Sequence, residues 1–294
     1  MNFLIVGIVR NCEKTIKPTI KSLSRAFDFA ERIQYYFVES DSTDDSLKIL
    51  KELSEQNNNF NFETCGNLTN KGMRTRCVRT SFCRNKYLDY LRLNKNAWAK
   101  YLVIVDVDGV FRGVDSKVIQ EFINKDDWAV MAANVKGNYY DIWALREDTW
   151  SPNDCWMASR NSLKNGLTQY QSEIINVYSR MIKIKKGKNL ISVKSAFGGF
   201  AIYNTSRIPK DACYSGIYDN GEEKVDHLDF NLSIYNSNPG KFFINPNLII
   251  GPSPYEHTKF AGIIGLNRFW LKMHLFDPFL RFISRKKRSL FRSN

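Results

Sequence analysis

Phe3 to Val9 is an unbroken apolar run, the mark of a strand buried on both faces, and it gives way to Ile16, Ile20 and Leu23 at helical spacing. Tyr35 to Val38 is a second strand. It ends in the polar run Glu39-Ser40-Asp41-Ser42-Thr43-Asp44-Asp45-Ser46, which supplies the N-cap of a helix from Leu47 to Leu53. A polar, Asn-rich stretch then leads to a basic helix from about Met73 to Leu93 and a third strand, Tyr101 to Val105, which stops at Asp106-Val107-Asp108-Gly109. Strands alternating with helices at this spacing predict a mainly parallel sheet with right-handed crossovers, and such sheets bind ligands at the carboxyl ends of their strands. The acidic clusters fall at those ends.

Beyond the third strand the pattern changes. A strand-like segment from Trp128 to Asn134 precedes Tyr139 to Arg146, a strand pair surrounds Phe197-Gly198-Gly199-Phe200, Val225 to Phe230 opens a short helix, and Leu248 to Ile250 is a last strand. No repeat or Pro/Gly-rich linker divides the two halves, which predicts one catalytic domain over residues 1–258 and a separate basic tail over 259–294.

Composition is that of an ordinary globular chain, with 43% hydrophobic and 14% aromatic residues in 294, and excludes disordered and collagen-like classes. Charge adds more. The net charge of +13 is concentrated in two places: nine Lys/Arg against Asp89 between Lys71 and Lys100, and nine Lys/Arg against Asp277 from Lys259 to Asn294. No helix-turn-helix, zinc-finger or RNP-like motif accompanies them, so nucleic acid is not an expected partner. In the tail the cations are interleaved with Phe269, Trp270, Phe276, Phe279 and Phe282, the composition of a segment lying on an anionic membrane surface. The six cysteines have neither Cys-x-x-Cys pairs nor zinc-ligand spacing with His and read as reduced thiols. With no signal peptide and no run of 18 apolar residues, the expected location is the cytoplasm, peripheral on the inner face of a membrane.

The chemistry centres on Asp106 and Asp108. At positions i and i+2 of an extended chain both carboxylates face the same way, and a hard divalent cation relieves their repulsion while accepting oxygens from a diphosphate. A lone Asp-x-Asp is short and frequent, and ordinarily only solvates a strand end or caps a helix. Two families carry it in this setting. Val103 to Val110 resembles the first motif of haloacid-dehalogenase-type phosphatases, in which Asp106 would be the nucleophile, but no Gly-Asp dipeptide for their late acidic pair occurs in the chain. The same residues resemble the Asp-x-Asp of nucleotide-sugar-dependent glycosyltransferases with the GT-A fold, a Rossmann-like α/β/α sandwich.

The glycosyltransferase resemblance extends over residues 3 to 230. Val9-Arg10-Asn11-Cys12-Glu13 and Val38 to Ser46 resemble the family-2-like segments that hold base and ribose, Arg84-Asn85 resembles an Arg-Asn pair before the Asp-x-Asp strand, and Gly198-Gly199 resembles the turn beside the donor sugar. Asp226-His227-Leu228-Asp229, 27 residues after Gly199, resembles the Glu-Asp-x-Asp motif that supplies the base. The resemblance implies a metal-dependent hexosyltransferase of polysaccharide biosynthesis, passing a sugar from a UDP- or GDP-linked donor to a glycan or lipid-linked acceptor. It implies donor contacts from Arg10, Glu39, Asp41, Arg84, Asn85, Asp106, Gly198 and Gly199, and a Mn2+ or Mg2+ ion on Asp106, Asp108 and His257. The catalytic base would be His227, with Asp226 or Asp229 as alternatives. Asp44 reads better as a helix cap. Tyr140 to Glu147 also resembles the Tyr-Asp-x-Trp-x-x-Arg-Asp segment of fungal capsule-associated mannosyltransferases of the CAP59 type. Within it Trp143, with Trp156 further on, is a candidate sugar platform, and Asp141 and Arg146 are candidate hydroxyl contacts.

Overall fold

The computed structural model describes residues 1–125, 127–258 and 261. Strands β1 (Asn2–Val9), β2 (Arg32–Glu39), β3 (Phe60–Thr64), β4 (Tyr101–Val105), β5 (Val130–Lys136), β6 (Ile191–Ser192), β7 (Phe200–Asn204) and β8 (Phe242–Pro252) form an eight-stranded sheet in the order β3-β2-β1-β4-β7-β5-β8-β6. The α-helices are α1 (Ile16–Ala26), α2 (Ser46–Gln56), α3 (Arg76–Arg92), α4 (Ser116–Ile123), α5 (Cys155–Lys164), α6 (Gln169–Asn176), α7 (His227–Ser237) and the single turn α8 (Tyr255–Thr258) among the described residues.

Alternation along β1 builds the layers. Phe3 and Ile5 face Ile16 and Leu23 of α1, Leu50 of α2 and Phe122 of α4, while Leu4 and Val6 face Tyr87 and Leu88 of α3 and Phe230 and Ile234 of α7. The sheet therefore has apolar layers on both sides, which is why β1 and β4 read as continuous apolar runs. Aromatic packing fastens the first layer: Phe3 lies 4.8 Å from Phe27 and is stacked on Tyr101 at 5.3 Å.

The expected α/β/α sandwich is present, with β1 to β4 mutually parallel. Three features go beyond the expectation. β3 was hidden in the polar stretch because only Phe60 and Phe62 alternate with Asn61 and Glu63, enough for an edge strand paired with β2 alone. β7 inserts antiparallel between β4 and β5 and so carries the Gly198-Gly199 turn back to the end of β4. β8 runs for 11 residues, although Asn245, Pro246 and Asn247 break its apolar pattern, and its pairing with β5 shifts register twice. The basic tail expected as a membrane-binding appendage lies outside the described residues except Ala261. Among the described residues no helix is long and apolar enough to cross a membrane.

Candidate active site

Because β1, β2 and β4 are parallel, Arg10, Ser40 and Asp106 emerge at one edge of the sheet, and there they line a cleft of about 820 Å³. The cleft is closed on its other sides by α3, by the segment Tyr140 to Trp143, by α5, and by the residues from Glu223 to His227 that lead into α7. Asp106 and Asp108 both line it, with Asp108 exposed and Asp106 26% exposed.

Arg84 is the hub. Buried on α3, its Nε donates to Oδ2 of Asp226 at 2.7 Å, a second nitrogen stands 3.5 Å from Oδ1 of Asp106, and the third donates to the Tyr87 hydroxyl at 3.3 Å. One guanidinium thus joins the acidic strand end to the start of α7. Asp226 closes the link by accepting the His227 amide at its other oxygen. Burial opposes ionisation of Asp226, but the Arg84 charge outweighs it and holds this carboxyl well below the usual carboxylate range. Asp106 goes the other way: burial, then the negative charge of Asp108, push it up to about 7 against the pull of Arg84. Two carboxylates sharing less positive charge than they need are a hard-oxygen donor set that suits a divalent cation.

The Gly198-Gly199 turn meets this strand end directly. The Asp106 amide donates to the Gly199 carbonyl at 2.9 Å, and the Gly198 amide donates to Oδ2 of Asp141 at 2.8 Å. Both glycines have positive φ, +70° and +90°, and a side chain on Gly198 would stand 3.0 Å from the Ala133 carbonyl. Asp141, expected to contact sugar hydroxyls, lines the cleft and also braces this turn. Arg146 donates to the carbonyls of Trp143 and Leu145 and does not line the cleft.

The other expected residues divide clearly. Arg10, Arg84, Asp106, Asp108, Asp226, His227 and His257 line the cleft, and the His257 ring lies on Tyr140 at 5.6 Å. Glu39, Asp41, Asn85 and Asp229 do not. Glu39 accepts from the Ser42 amide and the Thr64 hydroxyl, and Asp41 accepts from the amide and hydroxyl of Thr69, so both pin the loops behind the cleft. The Asn85 amide exchanges two bonds with the Tyr214 backbone, and Asp229 is paired with Lys224 at 2.6 Å. Asp44, expected as a helix cap, accepts from the Ser46 amide at the start of α2 and from the Glu13 amide, and so ties the loop after β1 to α2, whose N-cap position is Asp45. Gly198 and Gly199 stand at the rim through their contacts with Asp106 and Asp141. Among the described residues no group of three or more His, Cys, Asp or Glu is gathered to hold a metal ion.

His227 is singular among these. Its ring is 3% exposed, stacked on Phe197 at 3.9 Å, and neither ring nitrogen has a hydrogen-bond partner among the described residues. Burial, reinforced by Arg84, lowers its pKa well below that of a free imidazole, so it is neutral at physiological pH.

The hairpin that delivers Asp226 and His227 was not legible in the sequence. Tyr218 N donates to the Glu222 carbonyl and Lys224 N to the Gly216 carbonyl, while Glu223 accepts the Cys77 amide at 2.9 Å and so caps α3 from outside. Gly216 lies against the Cys77 carbonyl so closely that a Cβ would overlap it. Gly216→Ala is therefore expected to destabilise the fold by about 1–3 kcal/mol. Equilibrium denaturation measures this, and an unchanged midpoint would show that the hairpin lifts freely from α3.

A profile of glycosyl transferase family 2 matches residues 5–185, well over half of the chain. The chain belongs to this family. The α/β/α sandwich described above is the GT-A fold. Three solved structures with similar folds are S. aureus TarS 1-349 in complex with UDP-GlcNAc, the mannosyltransferase PcManGT from Pyrobaculum calidifontis in complex with GDP-Man and Mn2+, and glucosyl-3-phosphoglycerate synthase from Mycobacterium tuberculosis in complex with UDP. Their identities to this chain are 17%, 11% and 10%, with TM-scores of 0.47, 0.45 and 0.45. The matches cover 89%, 85% and 91% of this chain and 61%, 56% and 76% of theirs, so the chain spans about three fifths of the TarS fragment. No curated protein sequence matches it. Family membership leaves the phosphatase expectation for Asp106 without support.

Proposed function

We propose that this family 2 glycosyltransferase is metal-dependent and transfers a hexose from a UDP- or GDP-linked donor to an acceptor hydroxyl presented at His227. The observation that carries the reading is the convergence of Asp106, Asp108, Arg84, Asp226 and His227 on one cleft at the carboxyl ends of the strands. Asp106 and Asp108 hold a Mn2+ or Mg2+ ion, with His257 close enough to the cleft to join them. Such an ion supplies Lewis-acid stabilisation to a departing diphosphate. Arg10 and Ser40, at the ends of β1 and β2, contact the nucleotide. Arg84 keeps Asp106 and Asp226 in register, and the neutral His227 takes the acceptor proton in an inverting reaction. Asp226, held ionised by Arg84, is a poor base, and Asp229 is occupied by Lys224 outside the cleft. The likeness to capsule-associated mannosyltransferases stays confined to Tyr140–Glu147, of which Tyr140 to Trp143 line the cleft.

The test is thermal shift with a panel of UDP-, GDP-, CMP- and dTDP-sugars in the presence and absence of Mn2+. Ligand binding to the native state raises its stability once the concentration exceeds Kd. One nucleotide class is expected to stand out, only with the cation, and Asp108→Ala is expected to abolish its shift. Equal shifts for Asp108→Ala and the parent protein would remove the metal site.

A further inference from the structure

The wall of the cleft away from the strand ends has its own chemistry. From Ile142 to Met181 its described lining residues carry a single charge, Arg160, which is paired with Glu222 at 3.1 Å, and they include two half-buried indoles, Trp143 and Trp156. Behind this wall sits Asp154, 6% exposed. Its Oδ2 accepts from Trp143 Nε1 at 2.8 Å and from the Tyr218 hydroxyl at 3.0 Å, its Oδ1 accepts the amides of Trp156 and Met157 at 2.9 Å each, and the Arg146 guanidinium stands 3.8 Å away. One carboxylate therefore fastens the Trp143 segment, the first turn of α5 and the 217–223 hairpin together.

An indole has one polar atom, and in Trp143 it is spent on Asp154, so the ring offers the cleft carbon surface alone. That surface complements the C–H face of a pyranose and repels phosphate. An acyl chain would want the apolar surface to continue, but it ends at His227, whose two ring nitrogens have no partner among the described residues and which lines the same cleft. A buried unpaired nitrogen calls for a hydroxyl. An apolar platform bordered by an orphan polar edge matches a sugar ring, which has both.

We infer that this wall is an acceptor subsite for a neutral pyranose, stacked on Trp143 and Trp156, with Asp154 as the positioning residue that fixes both. The inference rests on the glycosyltransferase reading and names its acceptor. With the sugar seated there, a hydroxyl reaches His227 while the donor occupies the strand-end half.

The experiment uses the full chain, the donor selected by thermal shift, and two acceptor probes: p-nitrophenyl hexopyranosides and decyl phosphate in detergent. Trp143→Ala and Trp156→Ala are expected to raise the KM for a pyranoside about tenfold, with kcat falling less and the donor KM holding. Trp143→Phe, which keeps a flat ring, restores most of the affinity. Asp154→Asn raises the pyranoside KM in the same direction, a split between KM and kcat that general loosening of the fold does not produce. Unchanged pyranoside KM in folded Trp143→Ala and Trp156→Ala proteins would overturn the subsite. Transfer to decyl phosphate alone would also overturn it, in favour of an anionic lipid acceptor. If the parent protein binds and turns over no nucleotide sugar, the glycosyltransferase reading itself fails, and that failure is visible before any variant is made.

Discussion

Replacing Arg84 by methionine is expected to destabilise the folded protein by about 3–5 kcal/mol, because it leaves a buried carboxylate without its partner. The pair is well enclosed, with side chains 5% and 10% exposed for Arg84 and Asp226. The dependence on pH identifies the cause. In the parent protein Asp226 titrates below its unfolded value, so it contributes stability that is present above the ordinary carboxylate pKa of about 4 and is lost as pH falls below it. In Arg84→Met the sign reverses. Burial then acts on Asp226 with only its remaining neighbours, His227 and Thr80, to oppose it, raises its pKa above the unfolded value, and makes the deficit relative to the parent grow as pH rises from about 4 to 7. Denaturant unfolding at pH 4.5 and 7 measures both effects, and a deficit below about 1 kcal/mol at pH 7, with no dependence on pH, would mean that the ion pair contributes nothing net. Arg84→Lys keeps the charge but not the fork that reaches Asp226, Asp106 and Tyr87, and its deficit should fall in between.

What the sequence disclosed follows from how locally each feature is encoded. β1 and β4 are written in consecutive residues, and Asp106 and Asp108 adjoin β4, so strand, turn and acidic end were readable together. Arg84 was legible only as a motif match. Its function depends on Asp226, which lies 142 positions away and is brought to it by the hairpin before α7, docked on α3 through Glu223 and Cys77. Glu39 and Asp41 depend on contacts that spacing does not show: acids at a strand end suggest ligand contact, but Thr64, at the end of the β3 edge strand unseen in the sequence, donates to Oε2 of Glu39, and Thr69, beyond β3, donates to Oδ1 of Asp41. Asp154 did leave a local signal. An Asp directly before the Cys155-Trp156 helix start has the pattern of an N-cap, and reading it would have located α5; its other oxygen, aimed at Trp143 and Tyr218, depends on tertiary contacts that spacing does not reveal.

His227 is where the proposed chemistry and stability should pull in opposite directions. A buried ring whose two nitrogens find no partner among the described residues costs about 1–3 kcal/mol of desolvation, whereas its stacking on Phe197 would be kept by any ring of similar shape. His227→Phe is thus expected to fold with unchanged or greater stability, by up to about 1 kcal/mol. Its turnover should fall about a hundredfold or more, as for a lost proton acceptor, with the donor KM nearly intact. His227→Ala should lose the same activity but also stability, because it opens a cavity against Phe197. Since burial keeps the imidazole neutral well below the pKa of a free histidine, kcat should show no acid limb from this group near pH 6.5. A structural histidine predicts the contrary pattern, in which activity follows stability and His227→Phe either keeps both or loses both. Proton NMR of the product gives an independent check: a dedicated base is required when the anomeric configuration inverts, and a product that retains the donor's configuration would remove that role from His227 even if the variants were inactive.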